Sequence, residues 1–553
     1  MADINSLQNS TRNITPQCKV VLYLWKTQSI FSDNTTAELA DTAAFDISSR
    51  IKSVSYQKNM AEASGTFTIS VANNADFKFS DDDKSDAFSG QRKALRSSGD
   101  WKDLVKRGTW CTIHMAQDGA LDIKDDIEAP SIRPNAEGKY LRCVGFIERV
   151  TVRSELNESG GFDVTYELSG RDYGIIYEDT NIWHNMFQLD ALLLKQVTTI
   201  IEVNQLNYIN NALQTLHDLF FGAASVGLPS ASNPKSLLSI SRQWLVPSKL
   251  LRDLGMVDLS ITGAFWGSLA SVTAAEDSFY GIQPTQMGFI TADITQMLSG
   301  GAWEKLNNVA VRQFHELFVE TTDEGKLKLN FRPIPWAINK KNYSRVGRDI
   351  QYYLDVPTVT VPAIDVVNFE VGEDNHNRYN SFLVTIQSAV IGKENNIGPL
   401  KGRFPEHQSS SIQRYGFRPM HVSVPALSNN AALQNGLADE DLLLEYNYVL
   451  KDYWNFSIFA ESGSMEIIGR NDIKVGKCLE PDGDVPYISG RRYYIEGYAD
   501  NFSVGDNGAM EWTQTLSLTR GFEKTDLNNT GSGFRNRDNK FLKKGEYTKR
   551  GKA

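Results

Sequence analysis

Two stretches, YLRCVGFIERVTV at residues 140–152 and FDVTYELSG at 162–170, decide the fold. Both alternate apolar and polar residues at a period of two, as a strand does when one face is buried and the other meets water. The Gly160-Gly161 pair between them marks a turn, so the segment reads as a β-hairpin. The same arrangement returns near the other end of the chain. RRYYIEGYADNFSV (491–504) is followed by a turn at Gly505–Gly508 and then by EWTQTLSLTR (511–520). From Gly145 to Val152 and from Gly497 to Val504 the residue class agrees at seven of eight positions, with only Arg149 against Asn501 differing.

Upstream elements repeat in the same order. Ile51–Tyr56 and Gly65–Val71 correspond to Val366–Val371 and Ser381–Ile386. A further strand around Gly108–Ile113 corresponds to Val475–Leu479. Four elements in one order point to a duplication. An isolated meander of about five strands leaves two bare edges, so each half is expected to close into a small barrel or to pair with a neighbouring subunit.

Working outward, helix signals occupy the middle. Asp190–Phe221 places Leu206, Ile209, Leu213, Leu216 and Phe220 on one helical face, and Ile261–Ala275 is a small apolar cluster. Phe314–Thr321 and Lys326–Arg332 flank a Thr322–Gly325 turn as a hairpin. Helical insertions are expected at Gln91–Lys106 and at Ala431–Trp454, where Leu442, Leu443, Tyr446 and Leu450 form a stripe. The predicted fold class is α+β and β-rich, with two similar β-barrel domains at residues 1–180 and 364–522. A mostly helical middle at 181–363 separates them, and a basic flexible tail occupies 523–553.

At about 150 residues per domain, 553 residues suit such a division. The formal net charge is −10 and the pI about 5.4, which argues against a protein that grips nucleic acid through its phosphates. Arg535–Ala553 carries eight Lys/Arg and two Asp/Glu, a net +6, which leaves −16 on the preceding residues. Lys543, Lys544, Lys549 and Arg550 are therefore candidates for docking on an acidic partner. No apolar run reaches the roughly 18 residues that span a bilayer, so no membrane insertion is expected. The first residues carry neither a basic start nor an apolar stretch, so no secretory leader is expected.

Catalytic patterns are missing. Cys18, Cys111, Cys143 and Cys478 have neither metal-ligand nor redox spacing and read as buried, reduced thiols. His315-Glu316 lacks the second His of a zinc-protease helix, and no two of the seven histidines stand within a helical turn. There is no phosphate-cradling glycine loop and no serine elbow. Asp81-Asp82-Asp83-Lys84-Ser85-Asp86 resembles half a calcium loop without its central Gly or its last Glu. No enzyme activity and no cofactor or metal is expected.

With two β halves split by a helical middle, the chain resembles the baseplate hub proteins of contractile-tailed bacteriophages, the late control protein D family, and the hub part of type VI secretion spikes. The hairpin ending in Ser169-Gly170-Arg171-Asp172, the Gly497–Arg520 hairpin and FHELFVETTDEGKLKLNFRPIPW (314–336) carry the resemblance. It implies tail-tube-like barrels and a structural homotrimer whose six quasi-equivalent units adapt a sixfold tail tube to a threefold spike, around a channel for DNA. The implied partners are the tail tube or a tube-initiator protein, a separate central spike, the tape-measure protein and baseplate wedge proteins, with DNA passing through unbound. The implied location is the virion tail baseplate, after assembly in the host cytoplasm. Gly145, Glu148, Val150 and Val152, with Gly497, Asp500, Phe502 and Val504, are the candidate strand and subunit-contact residues. Proline at Val150 or Phe502 is expected to disturb the ring. Asp81, Asp82, Asp83, Asp125 and Asp126 are candidate acids of a lumen or rim. Two alternative readings are a distal-tail or tube-initiator ring and a tail-associated cell-wall or carbohydrate hydrolase.

Overall fold

The computed structural model describes, in the main, residues 15–25, 42–72, 105–123, 138–156, 162–182, 300–336, 352–373, 378–386, 406–424 and 439–524, with short pieces near 250 and 280. The strands are β1 (Gln17–Trp25), β2 (Thr42–Asp46), β3 (Ile51–Asn59), β4 (Thr66–Ala72), β5 (Trp110–Ala116), β6 (Leu141–Leu156) and β7 (Phe162–Asp172). There follow β8 (Asn181–Ile182), β9 (Tyr280–Ile282), β10 (Gly300–Gly301), β11 (His315–Thr321), β12 (Leu327–Pro333), β13 (Thr358–Pro362) and β14 (Val366–Glu373). The last are β15 (Ser381–Ile386), β16 (Glu406–His407), β17 (Pro419–Val424), β18 (Glu461–Ile468), β19 (Cys478–Asp482), β20 (Arg491–Val504) and β21 (Met510–Glu523). Helices among the described residues are α1 (Ile175–Asp179), α2 (Ala302–Ala310), α3 (Ser409–Tyr415) and α4 (Asp439–Trp454).

The fold is β-rich, and the strands of both halves belong to one 13-stranded sheet. Along it run β3-β4-β7-β6-β5 from the first half and β14-β18-β21-β20-β19 from the second, every neighbour antiparallel. The duplication extends to irregularities that strand propensity does not require. Lys52 is an extra residue in the β3–β4 ladder and Val367 occupies the same place in β14–β18. Glu148 bulges between Ile147 and Arg149, and Glu496 between Ile495 and Gly497. Gly108 donates its N–H to Ile147 at 2.9 Å, and Gly476 donates to Ile495 at 2.9 Å. Shared bulges at shared positions point to one ancestral unit used twice.

They also correct the alignment read from sequence. Leu168 pairs with Val150, and its counterpart Leu516 pairs with Tyr498. Ile147 therefore matches Ile495 and Gly145 matches Tyr493, four residues from the Gly145–Gly497 match. That match skips the bulge: it sets core-facing Gly145 and Ile147 against Gly497 and Ala499 on the outer face, and only beyond Glu148 do Val150 and Val152 meet residues of their own face, Phe502 and Val504, so class agreement along the strand hid a change of face. Cys478 likewise matches Trp110, not Cys111, since each pairs with the aromatic residue before the shared Ile. The counterpart of β4 is β18, whose Met465 pairs with Leu516 as Ile69 pairs with Leu168. Ser381–Ile386 is a strand, as predicted, but lies in a separate three-stranded sheet between β16 and β17. It is buried there at Phe382 and Val384, and the Asn447 side chain of α4 accepts from Val384 N–H at 2.7 Å.

One core runs under both halves. Val54, Phe67, Ile69, Ile147 and Leu168 belong to the same apolar cluster as Met465, Tyr498, Phe502, Leu516 and Leu518. A fully buried side chain of this size contributes roughly 1.5–3 kcal/mol, so the halves are one body energetically. The β11–β12 hairpin forms as predicted and packs in a second cluster with α1, α2 and the end of α4. Leu450 of the α4 stripe is buried; the side chains of Leu442, Leu443 and Tyr446, the predicted helix at 91–106 apart from the non-helical Val105, the predicted helix at 190–221, and the 261–275 cluster lie outside the described residues.

Gly108 and Gly476 have φ of +89° and +81°, a region that costs an L-residue about 1–2 kcal/mol. A Cβ at Gly108 would meet nothing nearer than 3.8 Å, whereas at Gly476 it would lie 2.6 Å from Phe318 Cζ and 3.0 Å from Arg332 Nη2. Gly476→Ala is therefore expected to lower the urea midpoint more than Gly108→Ala, by a further ~1 kcal/mol or more. Equal midpoints would remove the distinction.

Candidate functional site

The described chemistry concentrates where the two halves and the β11–β12 hairpin meet. Strand alternation puts Asp500 on the same inward face as Tyr498 and Phe502, a place where an unpaired charge is costly. Asp500 is fully buried and accepts from Arg142 Nε at 2.9 Å, Trp512 Nε1 at 3.0 Å and Gln514 Nε2 at 2.7 Å. Arg142 comes from the first half. It also donates to Ile473 O at 2.9 Å and lies over the Tyr498 ring, 4.5 Å from its centroid. Burial works against the guanidinium charge, and Asp500 with its neighbours more than offsets it, leaving the Arg142 pKa raised.

The hairpin supplies two more carboxylates. Glu316 accepts from Arg520 Nη1 at 2.9 Å, Arg332 Nε at 3.0 Å and the Tyr494 hydroxyl at 2.6 Å. Arg332 in turn donates to Gly476 O at 2.6 Å, and Arg520 stacks on Tyr494 at 4.1 Å. Glu320 accepts from Val475 N–H at 3.1 Å. Lys474 donates to Thr321 Oγ1 at 2.5 Å and to Leu141 O at 3.2 Å, and burial followed by the nearby Arg142 charge pushes its pKa down to about 8. In the first half Asp172 accepts from Lys58 Nζ at 2.6 Å and Tyr56 OH at 2.9 Å. Each carboxylate is held by several donors from different segments, so the arrangement fixes geometry and offers no free base.

The sulfur and metal chemistry is equally closed. All four cysteines are free and buried, and burial pushes Cys111 and Cys478 up to about 12 and raises Cys18 and Cys143 as well, which suppresses the thiolate. Among the described residues no group of three His, Cys, Asp or Glu is placed to hold a metal ion, and no helix is long and apolar enough to cross a membrane.

The predicted site residues fall into separate places. Asp500 is the junction acid. Phe502 pairs with Val54 on one side and Trp512 on the other, so it is interior to the chain's own sheet and forms no subunit edge. Proline there breaks the fold, not a ring contact. Gly145 is buried against Phe67 and Cys111, and Gly497 lies beside Lys58 O, both within the sheet. Val504 ends β20 opposite Met510. Glu148, the bulge residue, pairs with Arg171 at 2.7 Å; Arg171 also holds Glu178 and Asp179. Val150 and Val152 lie on the outer part of β6, which among the described residues pairs with β7 alone, whereas β5 reaches only Leu141–Phe146. Asp81, Asp82, Asp83, Asp125, Asp126, Lys543, Lys544, Lys549 and Arg550 lie outside the described residues.

Reading from sequence missed Arg142, Glu316, Glu320, Lys474 and Arg520. The usable signal was parity: Asp500, Gln514 and Lys58 each occupy an inward position between apolar neighbours, which marks a buried polar pair. The sheet face away from the core has the opposite character. Thr513, Asn501, Ser55, Thr68, Ser169 and Arg149 follow one another across six strands, and only the last is charged.

No protein-family model and no curated relative matches the chain. It is similar to the solved 43 kDa tail protein of prophage MuSo2 from Shewanella oneidensis, at 10% identity and a TM-score of 0.40, covering 91% of this chain and 98% of that one. It is similar also to a tail protein from Neisseria meningitidis MC58, at 10% identity and 0.39, covering 91% and 96%. A chain of a PdpA–VgrG complex aligns at 8% identity and 0.35, over 92% and 66%. Tail proteins are thus among the solved structures it resembles.

Proposed function

We propose that the chain is a structural baseplate hub of a phage tail, a homotrimer whose six related halves form a pseudo-sixfold ring between a sixfold tube and a threefold spike. The observation that supports this best is the duplication itself. Two units with the same strand order and the same bulges stand side by side in one sheet, so three copies present six similar surfaces. The buried junction suits the same role, because it locks the halves at one relative angle, and a ring adaptor needs that angle constant.

In this reading each half is one tube-like barrel unit. The core side of the sheet, with the hairpin and helices packed against it, faces outward, and the bare face lines the channel. That lining is rich in hydroxyl and amide groups across its central rows, with Arg149 and Arg153 only at its β6 end, which leaves phosphates few cations to grip. The acids at Asp81–Asp83 and Asp125–Asp126 then belong to a rim. The basic tail, with Lys543, Lys544, Lys549 and Arg550, docks on a separate spike or another acidic partner. The role is structural and not catalytic, in the virion tail.

Native mass spectrometry of the purified protein, with class averages of the particle, tests the reading. Three copies with sixfold features at the tube end are expected. Six copies would move the protein to a tube-initiator ring, and a monomer at every concentration would remove the hub.

A further inference from the structure

We propose that β14 of one copy adds, antiparallel, to the outer part of β6 in the next copy, in the register that β3 and β20 already use inside the chain. This inference rests on the ring reading and names its contact.

The halves are joined within the chain by β3 of the first half pairing with β20 of the second, from Ser53↔Ser503 to Asn59↔Gly497. By the repeat, β14 is the counterpart of β3 and β6 is the counterpart of β20. Among the described residues β14 pairs only with β18, and β6 beyond Ile147 only with β7. The two strands left with an open side are therefore the counterparts of the two that form the internal junction. β14 ends the run β14-β18-β21-β20-β3-β4-β7-β6, and at its other side β5, β1 and β2 continue along the inner part of β6 only, leaving its outer part on the far side from β14, as a head-to-tail ring requires.

Burial agrees position by position. Where the junction is made, Val54, Tyr56, Tyr498 and Phe502 are 1–3% exposed. At the open edges Phe369, Val371, Val150 and Val152 reach the same core but stay half-buried. An added strand would finish covering them.

Charge selects the partner. The open edge of β14 carries Glu370 and Glu373, both exposed at least in part, and the outer part of β6 carries exposed Arg149 and Arg153. Either edge meeting its own kind would set like charges together, and β14 meeting β6 sets opposite ones together. Transferring the internal register places Glu370 opposite Arg153 of the next copy, as Ser55 faces Asn501, and Val371 opposite Val152, as Tyr56 faces Asp500. The occupant of each edge is thus a second copy of this chain, used in a closing cycle.

A cysteine pair reads this register directly. Directly opposed residues on antiparallel strands have Cβ atoms about 4.5–5.5 Å apart, within disulfide reach. The full chain carrying Glu370→Cys and Arg153→Cys, mildly oxidised, should run on a denaturing gel as a ladder to three copies that collapses on reduction. Each single variant and the Glu370→Cys/Arg149→Cys pair should give at most a tenth of that yield. The native mass of each sample is measured alongside. A trimer whose matched pair does not cross-link, or cross-links no better than the offset pair, overturns the edge pairing and leaves the hub reading standing. A monomer without cross-links overturns both.

Discussion

Arg142→Met is expected to lower the unfolding free energy by about 3–5 kcal/mol, the range for removing one partner of a buried ion pair. The size follows from what remains. Asp500 is fully buried, and without the guanidinium its charge keeps only the donors of Trp512 and Gln514. Ile473 O loses its donor in the same change. Adding Asp500→Asn removes the stranded charge while its side-chain oxygen still accepts from both neighbours, so the double variant should recover more than about 1 kcal/mol. Urea titrations of the three proteins at one pH decide it. A single variant within 1 kcal/mol of the parent would mean that the pair is not the bond between the halves. Because Arg142 belongs to the first half and Asp500 to the second, the loss should appear as one cooperative transition and not as early melting of either half.

How far the fold could be read from the residues depended on which physical signal each part emits. The strands at 140–152, 162–170, 491–504 and 511–520 announce themselves through period two, and the hairpin at 315–333 through its Thr322–Gly325 turn. Their order shows in the repeat, because order survives when sequence has drifted. Register does not show, since Gly145 agrees in type with Gly497 although the bulges at Glu148 and Glu496 put the two on different faces and make Tyr493 its counterpart. Sheet membership is equally silent. Ser381–Ile386 has the composition of a buried strand, and nothing in it says whether its neighbour is β14 or β17. Among the site residues, Asp500 was singled out as a strand position, yet its role needed Arg142, 358 residues away. Such a pair is legible only as two misplaced charges. The subunit edge expected at Phe502 is closed by Val54 of the chain's own β3, a pairing that nothing local to either strand announces.

Acid should weaken the protein well before its carboxylates protonate, because His114 and His315 are buried as neutral rings. Burial pushes both down to about 3, with the Lys19 charge adding to it at His114. His315 lies flat on Phe331 at 5.0 Å, with Nδ1 2.9 Å from Ala310 O; that contact favours the charged ring, and burial outweighs it. The sign is fixed by linkage. The unfolded chain takes up a proton on each ring near pH 6.5 and the folded chain does not, so stability is intact above 6.5 and falls through the window from 6.5 to 3. Each ring contributes a loss that approaches about 1.4 kcal/mol per pH unit below 6.5, so the two together cost about 3 kcal/mol between pH 6.5 and 5. Glu480, whose pKa is lowered against a burial effect by Lys524 and Arg492, loses its contribution only below the ordinary carboxylate range, and the upper window therefore isolates the histidines. Urea midpoints at pH 7 and pH 5 should differ strongly for the parent. The difference should shrink by about half in either His114→Gln or His315→Gln and nearly vanish in the pair. A parent whose midpoint is the same at both values would show that these rings are charged or hydrated in the folded state.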